Sequence, residues 1–184
     1  MTWWWIGVLA LLVLSIVAAL VATRTARYWF IAPAALPIIT AIVLPVVGEP
    51  APAHPAFTIG LAAGFVALAT LGGSPVVALV LQLATRTVRL GTHGGILVAD
   101  VDSPAPDREI LRGGTTIGYV ERFALIGSLI AGQPGAIAIV VAIKGLGRFS
   151  ELENASARER FIIGTLVSLA WAGCCAAAIA PFAG

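Results

Sequence analysis

Glu121 and Arg122 stand side by side in an otherwise apolar stretch, and Lys144 and Arg148 follow four residues apart in and just past the next one. Charges in such surroundings are costly, so they face the interior of a helical bundle, pair with one another and mark a pathway or a site. Two chemistries suit the set. The charges line a route for a charged species, or Glu121 serves as a general base while Arg122 and Lys144 hold a phosphate. Gly132-Gln133-Pro134-Gly135 reads as a tight hairpin turn between the two stretches. Twelve residues separate Gln133 from Glu121 and ten separate Pro134 from Lys144, which puts acid and lysine at similar depth. An interhelical Glu121 to Lys144 pair is therefore expected. Lys144 and Arg148 share one face, so a further contact from Glu121 or Glu151 would complete a charged cluster. The plainer reading is that Arg122, Lys144 and Arg148 reach along their stems to the interface while Glu121 neutralises one of them.

Other chemistry is poorly represented. His54 and His93 lie in separate links, with no H-E-x-x-H, no histidine pair and no Cys/His cluster, so no metal ligand set and no cofactor is expected. Phosphate-cradling G-x-x-x-x-G-K-[ST] and G-x-S-x-G orders are missing, as is an acidic arrangement of the kind lipid-headgroup transferases use. The acidic run Asp100, Asp102, Asp107 and Glu109 lacks EF-hand spacing and reads as a solvated loop. Cys174 and Cys175 are neighbours whose side chains on a helix point about 100° apart, so they read as small packing residues and not as a disulfide.

The elements that must hold the charges are membrane spans. Of 184 residues, 59% are hydrophobic and 11% charged, with mean hydropathy +1.00. A soluble domain carries roughly 25% charged residues. The net charge of +2, with no basic run, leaves nucleic acid without an electrostatic footprint. Apolar segments lie at Trp3 to Ala22, Trp29 to Val47, Phe57 to Gly73, Pro75 to Ala84, Thr115 to Gly132, Gly135 to Gly147 and Phe161 to Phe182. Backbone polar groups in lipid must be satisfied within the segment, so each is expected to be helical. This describes an all-α, polytopic integral membrane bundle, a single domain over 1–184, with about six transmembrane helices or, alternatively, seven. The ten residues Pro75 to Ala84 reach about 15 Å, half a bilayer. They are expected to form one short interfacial or re-entrant helix, or else to extend the third span. Pro33, Pro37 and Pro45 are expected to kink or unwind the second span.

Trp3, Trp4 and Trp5 suit an interfacial aromatic belt, and without a positive n-region the N-terminal segment reads as a retained anchor. Six crossings with the N-terminus outside put Arg24, Arg27, Arg86, Arg89, Arg108, Arg112, Lys144, Arg148, Arg158 and Arg160 on the cytoplasmic side. The seven-crossing alternative, with an inside N-terminus, misplaces only Arg24 and Arg27. The polar link 91–114 is then a cytoplasmic loop, within which Ile96-Leu97-Val98 suits a short strand. Gly60 with Gly64, and Gly164, Ser168, Ala172 and Ala176, are spaced as helix-packing seams, which serve packing within one chain as well as dimerisation.

The order Gly114-Thr-Thr-Ile-Gly-Tyr-Val-Glu-Arg122, Gly132-Gln133, Ala142-Ile143-Lys144, Arg148-Phe149 and Phe161-Ile-Ile-Gly-Thr-Leu-Val-Ser168 resembles an uncharacterised bacterial family of small multi-pass membrane proteins. The likeness covers roughly residues 113 to 170. It implies that Glu121, Arg122, Gln133, Lys144, Arg148, Gly164, Thr165 and Ser168 work together, and it brings no activity. Ten arginines against one lysine, with abundant alanine, suggest a GC-rich bacterial source and hence a bacterial inner membrane. Three functions follow as expectations. The first is a small transporter or channel component, needing a homo-oligomer because six helices are few for a pathway. The second is a non-catalytic accessory or assembly subunit holding another membrane subunit. The third, weaker, is a membrane enzyme on lipid-linked substrates. Membrane lipid is a partner in all three.

Overall fold

The computed structural model describes residues 3–48, 52, 54–84, 89–90, 96–98, 108–110, 114–147 and 155–182. Helix α1 (Trp3–Thr25) is followed by a 3₁₀ segment (Tyr28–Ala34) that runs into α2 (Ala35–Val46), then α3 (Pro55–Ala84). Three short strands come next, β1 (Arg89–Leu90), β2 (Ile96–Val98) and β3 (Arg108–Ile110), and then α4 (Gly114–Ile130), α5 (Ala136–Gly147), α6 (Ala155–Ile179) and a closing 3₁₀ turn (Ala180–Phe182). Four stretches are long and apolar enough to cross a membrane: Trp3–Thr25, Tyr28–Val46, Pro55–Ala84 and Ala157–Ile179. Helices α4 and α5, with 17 and 12 residues, reach about 26 and 18 Å. The architecture is a helical bundle built for lipid.

The core of the bundle follows a regular spacing that its uniform apolarity conceals. On α1 the buried positions are Trp5, Val8, Leu12, Ser15, Ala19 and Ala22, alternating three and four apart, the spacing of a knobs-into-holes seam. The opposite face, with Leu14 63% and Val13 56% exposed, meets lipid. Helix α3 answers with Leu61, Phe65, Leu68, Gly72 and Pro75 at the same alternation, and α6 with Ser168, Ala172, Cys175 and Ile179. Gly64 lets α1 approach, since a Cβ there would sit 3.2 Å from Leu12 Cδ1.

Chain reversals are made by backbone chemistry. Ala26, with φ +53°, ends α1 in the left-handed region, and Gly48, with φ +88°, ends α2. At the end of α4, Gly132 has φ +69°, its N–H donates to Leu129 O, and the Gln133 N–H donates to Ser128 O at 2.8 Å. These two bonds make a Schellman motif, which satisfies carbonyls that the helix end would leave orphaned. Pro134 follows immediately, where no further helical N–H is required.

Of the three prolines expected to kink or unwind the second span, Pro33 alone lies in a non-α segment, and Pro37 and Pro45 sit within α2. Pro33 lies within the 3₁₀ segment, and Pro37 occupies the first turn of α2, where an N–H has no intrahelical acceptor. At Pro75 to Ala84 the structure selects one of the expected forms and removes the other. No separate interfacial or re-entrant helix exists there; these residues are the last third of the 30-residue helix α3. A proline deletes one hydrogen bond and clashes with one carbonyl, and continuous packing of Gly72, Gly73, Pro75, Ala78 and Leu81 in the core outweighs that loss. A seventh crossing at this point therefore has no helix of its own. In the link, Ile96–Val98 forms the central strand of an antiparallel meander, with Arg89 opposite Leu97 and Ile96 opposite Ile110. Both cysteines are free thiols, Cys174 exposed and Cys175 buried.

Leu12 is fully buried and Leu14 faces lipid. Leu12→Ala is expected to cost about 2–4 kcal/mol by leaving a cavity in the α1–α3 seam. Leu14→Ala should be near neutral. Unfolding in detergent micelles monitored by circular dichroism measures both.

Candidate functional site

Adjacent residues on α4 point about 100° apart, so Glu121 and Arg122 face different neighbours. Arg122 turns toward α3 and α6 and is 3% exposed. Its Nε donates to the Thr70 carbonyl at 3.0 Å, Nη1 to Ser168 Oγ at 3.2 Å and Nη2 to Ser74 Oγ at 2.7 Å. The Tyr119 ring lies 5.4 Å from the guanidinium carbon. One side chain thus ties three helices together. Two glycines make room for it: a Cβ at Gly73 would overlap Arg122 Cδ, Nε and Cζ, and one at Gly118 would come 3.0 Å from Nη1.

The α3 main chain is accessible here for a geometric reason. A helical side chain covers the turn N-terminal to its own Cα, so the glycines at 72 and 73 bare carbonyls one turn earlier. Arg122 takes that of Thr70, and the Trp171 indole N–H donates to that of Leu68 at 3.2 Å while its ring packs on Gly72.

Glu121 turns toward α5, where the Lys144 ammonium pairs with its Oε2. The side chains keep 14% and 16% exposure, so the pair is largely but not wholly sealed. Lys144 Nζ also lies 5.8 Å from the Phe161 ring centroid. Glu121 Oε1, by contrast, is buried without a hydrogen-bond partner, as is Thr165 Oγ1 on α6. Glu121 and Thr165 both line a cavity of about 10 Å³, with Arg122, Val140, Lys144 and Ser168 among its other lining residues. That is room for one water, and none for an organic solute.

The level of the cluster follows from the helices. The chain reverses at Ala26 and again after Gly48, so α1 and α3 run the same way. Gly64 is opposite Leu12, and Gly73 lies about 14 Å further along α3 at 1.5 Å per residue. The cluster is therefore level with the Val21 to Thr25 end of α1, which carries Arg24.

Of the candidate residues, Glu121, Arg122, Lys144 and Ser168 are brought together. Gln133 is not: it is exposed in the turn after α4, and its backbone N–H caps the helix. Arg148 lies outside the described residues, as do His93, Asp100, Asp102, Asp107 and Glu151. Among the packing candidates, Gly164 meets Val77 of α3, with 3.4 Å from its Cβ position to Val77 Cγ1, and Ala172 is fully buried. Gly60 has open space where Gly64 has Leu12, so only the second of that pair lies in a helix contact. Thr70, Ser74 and Trp171 were not singled out by sequence, since a small hydroxyl or an indole in an apolar run gives no sign of what it touches. The described residues hold no group of three or more potential metal ligands. No protein-family model, no curated protein and no solved structure matches this chain.

Gly73→Ala is expected to destabilise by about 1–3 kcal/mol, because the clasped guanidinium has nowhere to shift. Gly127→Ala, where the Cβ meets open space, should be neutral or slightly stabilising through helix propensity. Thermal retention of the monodisperse peak in detergent distinguishes them. Glu121→Gln should cost about 1–2 kcal/mol by stranding Lys144, less than a fully buried pair would lose, and Lys144→Met should restore most of it in the double variant.

Proposed function

We propose that this chain is a small multi-pass component of a transport system in a bacterial inner membrane, with its N-terminus outside and the Glu121, Arg122, Lys144 cluster toward the cytoplasm. The orientation rests on the arginines that flank the spans and on the tryptophans at the opposite end of α1. The observation that carries the transport reading is the acid–base pair beside the cavity. Glu121 Oε1 has no hydrogen-bond partner from the protein, so the carboxylate keeps an acceptor free for a small species at the cavity. Intramembrane ionisable groups of this kind mark routes for ions. A small cavity lined by α4, α5 and α6 makes a sparse pathway, which favours a homo-oligomer as the working unit.

A second reading, an accessory subunit that holds another membrane protein, is favoured by α5. This helix contributes no buried side chain, and Ile139, Ile143 and Leu146 on it are 62%, 65% and 77% exposed. Such a face suits another membrane subunit as well as it suits lipid.

A reporter active only outside the cytoplasm, fused before Met1, is expected to be active; silence would reverse the assigned orientation. For transport, the full chain in proteoliposomes is expected to carry an ionic current that Glu121→Gln abolishes. An electrically silent preparation that copurifies with a stoichiometric membrane partner would favour the accessory reading instead.

A further inference from the structure

The charged site has one acceptor to spare, and its surroundings restrict what can occupy it. Glu121 Oε2 is taken by Lys144, while Oε1 is buried without a hydrogen-bond partner, as is Thr165 Oγ1, and both residues line the cavity. An organic solute does not fit about 10 Å³. A metal cation is disfavoured twice over. Hard cations such as Ca²⁺ or Mg²⁺ take about six oxygen ligands or more, and three side chains here offer oxygen: Glu121, Thr165 and Ser168. Arg122 and Lys144 also line the same space and repel a further cation. A proton needs no shell of ligands, and the covalent bond it forms to one oxygen offsets the repulsion that excludes a metal.

We propose that the species bound at this site is the proton, delivered to Glu121 Oε1 by a single water in the cavity; this rests on the transport reading above and names its substrate. In the step, an O–H bond of a hydronium ion breaks as one forms on Oε1. A neutral water and a neutral carboxyl group remain. The new O–H then donates to the water left in the cavity, which Thr165 also lines. The groups that line the cavity with Glu121 are Arg122 on its own helix, Lys144 on α5, and the hydroxyls of Thr165 and Ser168 on α6; Tyr119 lies by Arg122, and α3 presents Thr70 and Ser74 to Arg122 and no ionisable group to the cavity.

Neutralising Glu121 leaves Lys144 without its counter-charge, and the structure supplies a second seat. Lys144 keeps 16% exposure on a flexible four-carbon stem, and its ammonium already lies 5.8 Å from the Phe161 ring. Loading a proton therefore moves the lysine toward Phe161 and the interface, where cation–π attraction and water replace the carboxylate. Loss of the proton draws it back. Arg122 takes no part in this movement, because its guanidinium is held by α3 and α6.

Infrared difference spectra of the full chain in lipid nanodiscs, acidic minus alkaline buffer, test the proposal. Wild type is expected to gain a protonated-carboxyl C=O band that is missing from Glu121→Gln and shifted to higher frequency in Thr165→Val, which keeps the acid and removes the hydroxyl. Identical spectra for wild type and both variants would overturn it. Proton flux into proteoliposomes, followed with an internal pH dye under a potassium diffusion potential, separates this inference from the reading beneath it. The Glu121 band without flux leaves the proton site standing and sinks transport. Current carried by another ion with no Glu121 band does the reverse.

Discussion

The bundle is organised around one buried guanidinium. A charged side chain is costly to bury unless it is hydrogen-bonded, and this one is tolerated because three acceptors from two other helices meet it. The requirement propagates. Ser74 and Ser168 must face each other across the guanidinium, Gly73 and Gly118 must lack side chains, and the α3 backbone must be bare enough to lend the Thr70 carbonyl. With Arg122 fixed between α3 and α6, the rotation of α4 is fixed too, and Glu121 necessarily points about 100° away, toward α5. The Glu121–Lys144 pair is in that sense a consequence of the arginine clasp, and α5 is placed by the pair.

The ion pair was legible in the sequence because charges in apolar runs are rare and because the hairpin at Gly132 to Gly135 allowed depth to be counted from both sides. The bundle itself was legible from length and composition alone. Its seams were not. On α1, Leu12 and Leu14 are equally apolar, yet one is fully buried and the other 63% exposed, since lipid accepts what the core accepts. In water the solvent would sort polar from apolar faces and write the seam into the pattern; in acyl chains it does not.

The stretch Gly72-Gly73-Ser74-Pro75 shows the same limit from another side. In sequence it carries every mark of a break between helices. In the structure the chain stays helical, and the missing side chains serve as openings through which Arg122 and Trp171 reach carbonyls of α3. A rule derived from local propensity loses here to tertiary contacts that reward bare backbone. The strands escaped for a simpler reason: β1 and β3, with two and three residues, are too short to show alternation, and only Ile96–Val98 with its branched side chains stood out.

How firmly each element is held also divides the molecule. Arg122 is satisfied, sealed and shared among helices with many buried side chains, which describes a rigid centre. Helix α5 has no fully buried side chain and joins the rest through the turn after α4, through Ile137 against the core and through Lys144. Elements with few buried contacts open at the lowest free energy. Among the described residues, the charged link between this helix and the rigid centre is also the link with an unsatisfied oxygen and an alternative seat for its lysine. A change in the charge of Glu121 would act on α5 more than on α3 or α6, because its ion pair is with Lys144 of α5.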